Sequence, residues 1–67
     1  MAETPLAQAE RHIASLEKSI EQQKRILRAL IAMNDTKGVA LANDVMTSFQ
    51  VSLALALEHR DHLARRE

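Results

Sequence analysis

From Leu6 onward, apolar residues return at alternating steps of three and four: Leu6, Ala9, Ile13, Leu16, Ile20, then Gln23, Leu27 and Leu30. Such a repeat predicts an amphipathic helix whose apolar stripe suits a coiled-coil seam, with Gln23 as its polar member. Thr4 and Pro5 read as the start, because a Thr hydroxyl accepts from a free backbone N–H and Pro suits the first helical position. Glu3 and Glu10 near the start, with Lys24, Arg25 and Arg28 near the end, complement the helix dipole, and Glu21 is placed to pair with Arg25. After Met33 the polar cluster Asn34, Asp35, Thr36 breaks the repeat, and Asp35 or Thr36 suits the cap of a second helix, with Gly38 in its first turn. The repeat then resumes through Val39, Ala42, Met46, Phe49, Leu53, Ala56, Arg60 and Leu63. The expected bounds are about 5–33 for the first helix, about 34–37 for the joint and about 37–65 for the second, within one domain of residues 1–67. Helices of matched length, each about 45 Å, joined by a short connection predict an all-α fold, an antiparallel two-helix hairpin.

The second helix carries more apolar surface than one partner needs. Val45 and Leu57 widen its stripe, while Leu41, Val51 and Leu55 spread toward the far side; the first helix adds Ile26, Ile31 and Met33 near the joint. A two-helix hairpin encloses no interior, so these side chains stay in water unless another surface covers them. The simplest cover is a second copy, giving a homodimer in the form of a four-helix bundle. Its candidate interface comprises Ile26, Leu41, Val45, Phe49, Val51 and Leu55. The alternative is an adaptor that presents the same surface to a helical regulatory protein.

Composition narrows the function classes. Sixty-seven residues make one small domain, marginal without a staple or a partner, and the chain has no cysteine for a disulfide or a thiolate metal site. Nine basic and nine acidic side chains cancel, the basic ones are interleaved with acids, and Phe49 is the single aromatic residue, so nucleic acid is not an expected partner. The N-terminal stretch MAETPLAQAE lacks the basic and apolar regions of a secretory signal, and the run Leu53 to Leu57 is far shorter than the roughly 20 residues of a membrane span. The expectation is a cytoplasmic protein without a membrane partner.

Three histidines are the first candidates for chemistry. His59 and His62 lie three residues apart on one helix, and pairing about the joint is expected to bring His12 opposite His59, with Glu10, Glu58 and Asp61 nearby. Three imidazoles at that end form a minor candidate for a divalent metal. The chain has no HExxH pattern and no ExxH repeat on facing helices, so ordinary surface histidines are the expectation and no cofactor is. Gln23 is expected near Ser48 and Ser52, in a hydrogen-bonded layer that sets register. Serines and threonines are scattered without a neighbouring base, which argues against an enzyme. The stretch MNDTKGVA has one glycine, and Lys37 precedes it, so it does not match a phosphate-binding loop and reads as the hinge between helices.

The segments HIASLEKSIEQQKRILRAL and SLALALEHRDHL resemble a family of short, uncharacterised bacterial α-helical hairpin proteins. The resemblance rests on His12, Ile13, Ala14, Glu17, Ile20, Gln23 and Leu30, on the pair Asp35-Thr36, on Ser52 to Leu55, and on His59, Arg60, Asp61 and Leu63. The chain departs from that pattern by about one extra helical turn between Asp35-Thr36 and Phe49, and by lacking a Gly just before Asp35. The resemblance implies a helical hairpin and supplies no catalytic residues.

Overall fold

The computed structural model of the chain describes residues 3–66; Met1, Ala2 and Glu67, at the ends of the expected domain, lie outside them. Helix α1 spans Pro5–Ala32 and helix α2 spans Thr36–Arg66, and the two pack against each other. Thr4 caps α1 with extended backbone, its Oγ1 accepting from the Ala7 N–H at 3.1 Å, and Pro5 follows where a missing N–H costs nothing. The expected dipole complement is weaker than its sequence positions suggest. No acidic residue falls in the first turn of α1 and no basic residue in its last, and the effect fades within one turn. Glu21 pairs with Lys24 at 3.2 Å instead of Arg25.

The joint is shorter than the sequence suggested, and one residue serves both helices. α1 ends in a Schellman motif: the Asn34 N–H donates to the Ile31 carbonyl at 3.0 Å and the Asp35 N–H to the Leu30 carbonyl at 3.0 Å. That geometry needs a left-handed residue, and Asn34 supplies it with φ 56°. Asparagine is among the non-glycine residues that tolerate this region best, so the turn forms without a glycine. Asp35 closes the Schellman turn and also caps α2, its Oδ1 accepting from the Gly38 N–H at 2.9 Å. Gly38 is the third residue of α2, and its lack of a side chain matters there. A Cβ would meet Asp35 Oδ2 at 2.7 Å and Leu30 Cδ2 at 2.8 Å, so the bare backbone lets the cap and the end of α1 close together.

Each seam residue read from the spacing is buried or half-buried. Ile13, Ile20 and Gln23 in α1 and Ala42 and Met46 in α2 are the buried ones, and the remaining members of both seams are half-buried. The seam can be lettered as heptads, with position a at Leu6, Ile13, Ile20 and Leu27 in α1 and at Val39, Met46, Leu53 and Arg60 in α2. Position d is then Ala9, Leu16, Gln23 and Leu30, facing Ala42, Phe49, Ala56 and Leu63. Arg60 occupies a seam position by keeping its guanidinium at the edge, where it pairs with Asp61 at 3.1 Å.

The register differs from expectation. Gln23 Nε2 donates to the Ala42 carbonyl at 3.2 Å, and Ser48 and Ser52 are exposed, with the Ser48 hydroxyl donating to its own helix at Asp44. The cause is the short joint. Because α2 restarts at Thr36, directly after its cap, the fold-back point lies nearer to α1 and every facing position shifts by about one turn. The result is a single layer of two helices, 49 × 21 × 12 Å. Its radius of gyration is 15.3 Å, against about 11 Å for a compact globule of this length.

Candidate functional site

The histidines are not brought together as a group of three. With Gln23 on Ala42 and Leu30 on Gly38, His12 stands across from the stretch Leu53 to Ala56 and not from His59. His59 and His62 line an open groove of about 450 Å³ with Leu55, Glu58, Asp61 and Arg65, all from α2. Among the described residues no set of three or more His, Asp and Glu side chains is placed to hold a metal ion. Two of the hydroxyls of α2 are already engaged, Thr47 donating to the Asn43 carbonyl at 2.9 Å and Ser48 to the Asp44 carbonyl at 3.2 Å. Gln23 is buried and paired, and among the described residues no buried side-chain nitrogen or oxygen lacks a partner.

What the hairpin does present is apolar surface, and the heptad lettering sorts it. In an antiparallel pair the g positions of both helices flank the seam on one side and the e positions flank it on the other, with c beside g and b beside e. Between Pro5 and Met33, and between Gly38 and His62, no c or g position holds Lys, Arg, Asp or Glu. The e and b side carries Glu10, Glu17, Glu21, Lys24, Arg28 and Asp61. One broad face of the layer is therefore free of formal charge along its length, and the other is not.

Four of the six candidate interface residues fall on the charge-free face: Ile26, 50% exposed, Leu41, 67%, Val45, 42%, and Leu55, 62%. Met33, also exposed, joins them at the joint end, while the exposed Ile31 lies on the charged side. The other two candidates sit elsewhere. Phe49 is a d residue, half-buried between the helices, and Val51 occupies an f position on the outer edge of α2. Heptad spacing alone sets Phe49 and Val51 apart from the others, while the antiparallel pairing tells which flank of one helix meets which flank of the other.

α2 is also long and apolar enough, by length and composition, to cross a membrane, and 11% of the qualifying 18-residue stretch is buried in the hairpin. No family model, curated protein or solved structure matches the chain.

Proposed function

We propose that this chain is a non-enzymatic, cytoplasmic helical hairpin of the family it resembles, acting through protein contacts, and that its first partner is a second copy of itself in a four-helix bundle. The observation that carries the reading is the charge-free face with Ile26, Leu41, Val45 and Leu55 in solvent. A layer only 12 Å thick leaves those side chains nothing of its own to pack on. Full burial of a large apolar side chain is worth about 1.5–3 kcal/mol, of which these half-exposed residues have roughly half still to gain, and a second hairpin offers the same chemistry over the same length.

A bilayer would cover α2 less well. Between Val39 and Leu57 the helix carries Asn43, Asp44, Thr47, Ser48, Gln50 and Ser52. Thr47 and Ser48 turn their hydroxyls back on their own helix, but Asn43, Asp44 and Gln50 would have to give up water without a partner in lipid. The adaptor reading uses the same face for a different helical protein.

Light scattering behind size exclusion at micromolar concentration tests the proposal. The expected mass is twice that of the 7.5 kDa chain or a multiple of it. A folded monomer across that range would refute self-association and transfer the face to another helical protein.

A further inference from the structure

We infer how the second copy sits: face to face on the charge-free side, with α1 of each hairpin over α2 of the other and the two joints at the same end. The inference rests on the self-association reading and adds an arrangement to it. The face measures 49 by 21 Å, roughly 1,000 Å² in projection, and a stable interface needs about 800 Å² per partner. The area is therefore sufficient without enlisting the charged side.

Charges along the rim select the arrangement. The f positions point away from the seam, so in a stacked pair they border the contact. In α1 they hold Arg11, Lys18 and Arg25, all positive, before Ala32; in α2 they hold Lys37 at the joint end, then Asp44, Val51 and Glu58, with Arg65 at the open end. All seven charged groups are exposed. Two stackings obey two-fold symmetry. If α1 lies over the other copy's α1, the helices run in opposite directions and Arg25 meets Arg11 while Asp44 meets Glu58, so like charges meet on both edges. If α1 lies over the other copy's α2, heights are preserved. The register of the hairpin then sets Arg25 within about one turn of Asp44 and Arg11 within about one turn of Glu58. Neither Arg25 nor Asp44 has an ion-pair partner among the described residues of its own hairpin, whereas Arg11 also reaches Glu3 at 2.6 Å. Both stackings make every neighbouring pair of helices antiparallel, as short-looped four-helix bundles do, so the rim charges make the choice.

Within one chain Arg25 and Asp44 lie on opposite outer edges of the layer, which is 21 Å across, so they cannot pair with each other. A charge exchange between them therefore reads only a contact between copies. Dissociation of the full chain is measured by sedimentation equilibrium for Arg25→Asp, Asp44→Lys and the double variant, with circular dichroism to verify helix content. Each single substitution is expected to weaken the dimer about tenfold, because symmetry makes it act twice, and the double variant to recover most of the loss. Ser52→Glu, in the middle of the charge-free face, is expected to give monomers, while Gln50→Glu on the other side leaves the dimer intact. A double variant no tighter than the singles, or a dimer strengthened by Arg25→Asp, overturns the arrangement while self-association stands. A dimer indifferent to Ser52→Glu overturns the choice of face. A monomeric wild-type chain overturns both this inference and the reading beneath it.

Discussion

Between α1 and α2 the apolar residues are distributed unequally. α1 buries Ile13 and Ile20, carries eight Glu, Lys and Arg side chains and leaves Ile26 and Ile31 in solvent near the joint; α2 buries Ala42 and Met46 and leaves Leu41, Val45, Val51 and Leu55 in solvent along much of its length. The helices are 28 and 31 residues long, so the contrast is one of surface chemistry and not of size. Apart from Ile26 and Ile31, the large apolar side chains of α1 form one stripe, which α2 covers. α2 has a second set of apolar positions that α1 cannot reach, because a single helix covers only the stripe facing it. The hairpin therefore covers most of the apolar surface of α1 and leaves a larger share of that of α2 in water.

The largest effect that would test this contrast is in the seam of α1. Ile20 is 7% exposed, and Ile20→Ala should cost about 2–5 kcal/mol, enough to unfold much of so small a chain. Leu41→Ala, at a site 67% exposed, should leave thermal unfolding nearly unchanged in a dilute sample where the chain is monomeric. Comparable losses from the two would erase the distinction between helices. Next comes Leu55→Glu on the outer side of α2, expected to raise the dissociation constant at least about tenfold by removing buried apolar area from both copies, as read by sedimentation. Helix content by circular dichroism should hold in concentrated solution, since Leu55 makes no part of the seam.

Smaller effects separate the ends of the two helices. Asp35→Ala should cost about 1 kcal/mol in urea unfolding, because the Gly38 N–H loses its acceptor at the point where both helices must meet. Thr4→Ala removes a similar cap, yet the free end of α1 can fray, so a smaller loss is expected there. Equal losses would mean that the joint is no more constrained than the free end. The smallest change is Lys24→Ala on the charged side of α1. Its pair with Glu21 is exposed at both partners, and a shift within about 0.5 kcal/mol is expected from the same unfolding curves.

Much of the fold is legible in the chain because a helix seam is a local pattern. Steps of three and four return to one stripe whatever lies opposite, and every seam residue from Leu6 to Leu30 and from Val39 to Leu63 is at least half-buried. The Thr4-Pro5 start and the role of Asp35 as a cap are local too, since both depend on hydrogen bonds within a single turn. Gln23 illustrates where legibility stops. Its place in the seam follows from spacing, but its partner is the Ala42 carbonyl and not Ser48 or Ser52, because the partner depends on where the chain turns back. His12 fails to face His59 for the same reason. The surplus of apolar surface is visible in the composition of α2, and spacing alone separates Phe49 in the seam and Val51 on the outer edge from Leu41 and Leu55, whereas the shared face of Ile26 and Val45 follows only from the pairing.

By itself, the order of residues determined two amphipathic helices, the break between them and the stripe by which each would pack, because these follow from periodicity and from capping over three or four residues. Tertiary structure alone decided the register, through a turn in which Asn34 adopts the left-handed conformation and Asp35 ends one helix while starting the next. It also decided which flank of α1 lies beside which flank of α2, and hence that one face of the layer carries no formal charge. Neither property belongs to a single helix: both arise from the relative placement of two, which a few backbone dihedral angles at the joint control.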